Sequence, residues 1–197
     1  MRKLSSFVGV LTLRRQQWSL PQGQGEAPAL PSCGGSVVTI HIKGGFTTAE
    51  GNSGRDRFVV YTNGGDAIID GGPGKDTLDA SRLNQPLRVG LKHSIDGGYA
   101  YRGQGDAEIR WVENVIGTRF RDAIGGSNLS NVLKGMDGAD LIKGLGGNDD
   151  INGAFGDDTL DGGMGDDILM GGPGADRLSG GGGSDTCISG HPWWDSC

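Results

Sequence analysis

The chain has 197 residues, of which 40 are glycine and 7 proline, with 35% hydrophobic residues and a formal net charge of −6. That length holds one domain with a tail, and the low apolar content excludes a conventional thick core, so either disorder or a periodic architecture must account for the glycine. Residues 117–188 carry 5 basic and 12 acidic groups, against 13 and 11 in 1–116, a field that disfavours nucleic acid and anionic membranes and favours cations.

Residues 1–50 read as an N-terminal tail with an imperfect signal region. Arg2 and Lys3 open it, but the apolar stretch 7–13 is cut short by Arg14 and Arg15, which is marginal for secretion. No segment reaches the roughly 18 apolar residues of a membrane span. Residues 51–79 form degenerate repeats: GGPGKDTLD at 71–79 is a full nine-residue frame ending its turn on Asp76, and two looser ones precede it with Asp56 and Asp66. These three aspartates stand ten apart, so the register slips there. Between 80 and 116 the pattern gives way to alternation such as Leu87, Val89, Leu91, an irregular β insertion of short strands and glycine turns.

From 117 to 188 eight frames follow without insertion: GTRFRDAIG, GSNLSNVLK, GMDGADLIK, GLGGNDDIN, GAFGDDTLD, GGMGDDILM, GGPGADRLS and GGGGSDTCI. Position 1 is always glycine. Position 6 is aspartate, Asn131 excepted, and position 8 is Ile124, Leu133, Ile142, Ile151, Leu160, Leu169, Leu178 and Cys187. Residues 189–197 read as a C-terminal cap: Cys187 and Cys197, ten positions apart, are placed for local pairing in an oxidising compartment, and Trp193 and Trp194 for closing the open end of a repeat stack. Cys33 stands alone.

The frame G-G-x-G-x-D-x-U-x resembles the hemolysin-type (RTX) calcium-binding nonapeptide repeat. The resemblance implies an all-β fold, a parallel β-roll in which two repeats make one coil, the six-residue glycine-aspartate segments are turns, and calcium lies between turns of adjacent coils. Residues 18 apart then stack in two ladders, Asp122, Asp140, Asp158 and Asp176 on one edge and Asn131, Asp149, Asp167 and Asp185 on the other. Their carboxylates at strand spacing would repel unless bridged by a cation. Glycines at positions 1, 2 and 4 allow positive φ and free carbonyls to face an ion, and calcium takes six to eight such oxygens. The expected ligands are Asp140, Asp149, Asp158, Asp167, Asp176 and Asp185 with Gly138, Gly147, Gly156, Gly165, Gly174 and Gly183, and also Asp76 and Asp122. Frames 117 and 126, with Thr118, Phe120, Ser127 and Leu129 where the pattern wants glycine, are the weakest.

Other motifs fail. Residues 148–153 imitate half an EF-hand loop, but Thr159 stands where a bidentate glutamate belongs. Gly74 and Lys75 are followed by Asp76, not the Ser or Thr of a phosphate loop. No H-E-x-x-H or G-x-S-x-G occurs, and His41, His93 and His191 are far apart in the chain. The expectation is a secreted, extracellular, non-enzymatic protein that binds several calcium ions, with a structural or adhesive role and a cell-surface or matrix partner. The alternative is the calcium-binding end of a larger extracellular enzyme of protease, lipase or epimerase type.

Overall fold

The computed structural model describes residues 10–12, 39–42, 47–61, 67–91, 98–101 and 106–190. The described residues form strands and turns with no helix, and no helix is long and apolar enough to cross a membrane. Two nine-stranded sheets face each other. In spatial order the first holds Val10–Thr12, Thr39–Ile42, Arg57–Val60, Thr77–Asp79, Asn114–Ile116, Val132–Asp137, Asp150–Phe155, Ile168–Met170 and Thr186–Ile188, all parallel. The second holds Thr47–Glu50, Ala67–Asp70, Asp106–Arg110, Gly98–Tyr101, Arg88–Gly90, Ala123–Gly125, Leu141–Gly146, Thr159–Met164 and Arg177–Gly182. The chain alternates between the sheets, which makes the molecule a parallel β-solenoid, the β-roll expected from the repeat.

The period of the sequence sets the register. Leu133 pairs with Ile151 and Ile151 with Leu169 in the first sheet, and Ile142 with Leu160 and Leu160 with Leu178 in the second. Each partner is two frames on, so one coil is two nonapeptides. Because side chains alternate across a strand, position 8 points inward while positions 7 and 9 face out. Ile142, Ile151, Leu133 and Leu169 are completely buried. Cys187, paired with Leu169, ends this column and is partly buried against the core. In several coils the ladder runs on through positions 1 to 3, as in Val132–Asp137 and Thr159–Met164, so the strands are longer than a three-residue x-U-x segment.

Upstream the coils are less regular and better filled. Phe58 pairs with Leu78, a coil of twenty residues, which absorbs the ten-residue spacing of the early aspartates. Between 80 and 116 the second sheet takes in an antiparallel meander: Gly98–Tyr101 runs against both Arg88–Gly90 and Asp106–Arg110. Asp106–Arg110 then stacks in parallel on Ala67–Asp70, and Arg88–Gly90 on Ala123–Gly125, so the insertion widens one sheet without breaking the stack. It adds Leu83, Leu87, Leu91 and Val112 to the buried core. Arg57 donates Nε and Nη2 to Asp79 Oδ2 at 3.0 and 2.7 Å, and Ser81 N–H donates to Asp79 Oδ1. Burial opposes the charged form of Asp79, but the bonds from Ser81 and Arg57 outweigh it and hold the carboxyl below its usual range.

A core one residue deep per strand has no slack. Leu160→Ala is expected to cost about 2–5 kcal/mol, whereas Ile168→Ala on the outer face should cost less than about 1 kcal/mol. Denaturant titration of the two variants checks this, and equal costs would contradict the inward assignment of position 8.

Candidate metal centre

The turns that join the sheets stack along two edges. Turns 117–122, 135–140, 153–158 and 171–176 lie on one; 71–76, 111–113, 126–131, 144–149, 162–167 and 180–185 lie on the other. In the six turns from 135 onward, positions 2 and 4 have positive φ. Gly138, Gly147, Gly156, Gly165, Gly174 and Gly183 lie between 90 and 155°, and Met136, Leu145 and Ala154 take the left-handed region at position 2 despite their side chains. Such residues sit there at a cost of roughly 1–2 kcal/mol each.

Position 1 departs from expectation. Its glycines do not have positive φ; they are required for space. A Cβ on Gly153 would meet the Oδ2 and carbon atoms of Asp158 in its own turn, and one on Gly144 would meet Asp149 Oδ2. The position 6 carboxylate folds back over its turn into the volume that any other residue at position 1 would fill.

Each position 6 carboxylate also ties its coil to the one before. On one edge Asp122 N–H donates to Asp140 Oδ1 at 2.7 Å, Asp140 to Asp158 at 2.8 Å and Asp158 to Asp176 at 3.0 Å. On the other, Asn131 N–H donates to Asp149 Oδ1 at 2.8 Å, Asp149 to Asp167 at 2.8 Å and Asp167 to Asp185 at 3.0 Å. This uses one oxygen. The other, Oδ2 of Asp140, Asp149, Asp158, Asp167 and Asp176, is buried without a hydrogen-bond donor. A buried carboxylate oxygen without a partner is strongly unfavourable unless a cation or proton meets it.

Burial is the main force on these groups: it pushes Asp140 and Asp149 up to about 7 and Asp158 up to about 6. The N–H bonds oppose that rise. The stacked carboxylates add to it, Asp122 and Asp158 acting on Asp140, Asp167 on Asp149 and Asp176 on Asp158. Asp167 and Asp176 are raised for the same leading reason.

The exceptions are as informative as the rule. Asp122 Oδ2 accepts Thr118 N–H at 2.6 Å and its Oδ1 accepts Leu87 N–H at 2.6 Å, so donors of the protein satisfy both oxygens. Asn131 is neutral and accepts Ser127 N–H at 2.7 Å. Asp76 resembles the later aspartates: its Oδ1 accepts Asp56 N–H at 2.7 Å, its Oδ2 is buried without a donor, and burial pushes it up to about 7, with repulsion from Glu113, Asp56 and Asp70. Cys197 lies outside the described residues.

Two features escaped the sequence reading. Glu113 occupies the ladder above Asp76, whose N–H donates to Glu113 Oε2 at 2.8 Å; it belongs to a three-residue turn with no glycine frame to mark it. A second, exposed ladder runs at position 5. Asp166 N–H donates to Asn148 Oδ1, Ala175 N–H to Asp157 Oδ1 and Ser184 N–H to Asp166 Oδ1, at 3.1, 2.9 and 2.8 Å. The doublets Asn148-Asp149, Asp157-Asp158 and Asp166-Asp167 were its signal.

Among the described residues no three His, Cys, Asp or Glu side chains converge. The acidic groups meet only as successive rungs, so a hard cation here needs backbone carbonyls to complete its shell. That oxygen-only donor set suits calcium, which binds carboxylates and carbonyls together and tolerates irregular geometry. The unpartnered Oδ2 atoms show where negative charge is left uncompensated.

Residues 125–160 and 161–190 match the family model of the RTX calcium-binding nonapeptide repeat, which has four copies. Residues 125–190 are an array of RTX-type calcium-binding nonapeptide repeats. No curated protein matches the chain.

The raised carboxyls fix a pH dependence. Without calcium the folded state holds these protons more tightly than the unfolded chain, whose carboxyls titrate near 4. Their contribution is therefore complete below about pH 4 and is lost as pH rises through about 6–7. Calcium-free protein should show more β signal by circular dichroism at about pH 4.5 than at about pH 7.5, and calcium affinity should fall over the same window on acidification. A calcium-free roll that gains structure from pH 5 to 7.5 would contradict the assignment.

Proposed function

We propose that the repeat array folds on binding calcium and serves as a structural or adhesive module of a secreted, extracellular protein without catalysis of its own. The carrying observation is the file of buried Oδ2 atoms without donors from Asp140 to Asp176. The ions lie between rungs Asp140 and Asp158, Asp158 and Asp176, Asp149 and Asp167, and Asp167 and Asp185, with carbonyls of the glycine turns completing each shell. At about 1 mM extracellular calcium and a site affinity of about 10⁻⁴ M, each ion contributes roughly 1.4 kcal/mol. Several together match the whole stability of a small domain, about 5–15 kcal/mol.

Circular dichroism of the chain, titrated with magnesium and then calcium, tests this. Coil should convert to β structure with calcium alone; no change at about 10 mM calcium, beyond the affinity range of extracellular modules, would refute it. Asp158 and Asp167 each face two neighbouring gaps, so Asp158→Ala and Asp167→Ala should raise the calcium midpoint more than Asp122→Ala, and equal effects would count against the assignment of sites.

The same reading places a disulfide between Cys187 and Cys197, which with Trp193 and Trp194 closes the last coil. Peptide mapping without reduction should return the linked pair. Free thiols at both positions in secreted material would remove this closure.

A further inference from the structure

The first two turns of the array are built on a different plan from the six that follow. We propose that the coil 117–133, with the insertion it rests on, is a calcium-independent starter from which the acidic coils fold in one direction toward residue 188. This rests on the reading that 135–188 folds on calcium.

Three observations carry it. Thr118, Phe120, Ser127 and Leu129 occupy positions 2 and 4, yet none has the positive φ found at those positions in every later turn. Instead the position 2 hydroxyl closes the turn. Thr118 Oγ1 accepts Phe120 N–H at 3.0 Å and donates to Asp122 Oδ1 at 2.8 Å, and Ser127 Oγ accepts Leu129 N–H at 3.2 Å. Such hydroxyl turns form from local residues alone.

Hydrogen-bonding demand is met by the same groups. Asp122 has donors on both oxygens, and Asn131 carries no charge while its Nδ2 donates to Glu113 O at 2.8 Å. No buried oxygen without a donor occurs between residues 80 and 133 among the described residues; those of the array begin at Asp140. Beneath this coil lies the fullest part of the core, with Leu83, Leu87, Leu91, Val112 and Val115 all buried. It therefore lacks the defect that makes the later coils need an ion.

The starter also points the right way. On each edge its position 6 N–H is the donor that receives the first acidic rung, Asp122 for Asp140 and Asn131 for Asp149. A formed starter presents both donors and two paired strand edges, so the next coil adds to a template and avoids the nucleation step of a solenoid.

Hydrogen exchange of the full chain, with and without calcium, tests the proposal. Without calcium, amides in 106–133 should exchange on the order of 100-fold more slowly than those in 135–188, and both should be protected with calcium. Equally fast exchange in the two segments without calcium, with both protected in its presence, would overturn the starter while leaving calcium-driven folding intact. Protection of 135–188 without calcium would instead remove the reading beneath it. The double variant Thr118→Gly/Ser127→Gly restores the repeat glycines, removes the hydroxyl hydrogen bonds and should raise the calcium midpoint of 135–188 about two- to threefold. Thr118→Ser keeps the hydroxyl and should leave the midpoint unchanged. A double-glycine variant with the wild-type midpoint would also overturn the proposal.

Discussion

The interaction on which the roll depends is a carboxylate split between two duties. One oxygen of each of Asp140, Asp149, Asp158, Asp167 and Asp176 receives the N–H of the residue 18 positions earlier, fixing the register of neighbouring coils. The other is buried with no donor. The first duty leads to the second wherever the turn offers no donor of its own, as Thr118 does for Asp122, because a side chain as short as aspartate reaches the adjacent turn only by folding over its own, and there its second oxygen is cut off from water. Glycine at position 1 is the other half of this arrangement, since the carboxylate lies where a Cβ would project. Acid and glycine are thus a single steric unit repeated every nine residues.

The exposed ladder at position 5 complements the buried one with opposite polarity. Position 6 side chains accept from the preceding coil, whereas Asp157 and Asp166 accept from the coil that follows. Turns 144–149, 153–158 and 162–167 are thus clamped from both sides. The two ladders differ in how solvent treats them: exposed carboxylates at position 5 keep their hydration and their repulsion is screened, while the position 6 column is neither hydrated nor screened. A cation answers only the second problem, and the acids are distributed accordingly: two at position 5, Asp157 and Asp166, against six at position 6 from Asp140 to Asp185.

Periodicity made most of the array legible. Nine-residue spacing gave the turns, the inward column from Ile124 to Cys187 and the pairing of aspartates two frames apart, because in a solenoid sequence distance converts directly into stacking. What it could not give was the reason for each glycine. Positive φ explains positions 2 and 4, but position 1 is set by a contact with a side chain five residues on, and only coordinates reveal that the space is occupied. Glu113 was hidden for a related reason. Its turn, 111–113, is half the usual length, so no frame-based reading could align it with Asp76. The meander through Gly98–Tyr101 was hidden too, since alternating strands say nothing of direction or order in the sheet.

Core depth and carboxylate chemistry vary in opposite senses along the axis. Where the interior is deep, around Leu83, Leu87 and Val112, the ladder positions carry Leu87, Glu113, an aspartate satisfied by Thr118, or the neutral Asn131, with Asp76 just upstream the exception that keeps an unpartnered oxygen. Where it thins to one aliphatic residue per strand, every rung but the last is an acid with an unpartnered oxygen. Hydrophobic burial acts at all calcium concentrations, whereas an ion acts only where the ion is present. On the proposal above, the insertion with coil 117–133 holds without calcium, and 135–188 depends on it. Since each coil contacts only its neighbours, the change between the two parts is set locally, at the step from Asn131 to Asp149 and from Asp122 to Asp140, where protein donors give way to buried oxygens without a donor.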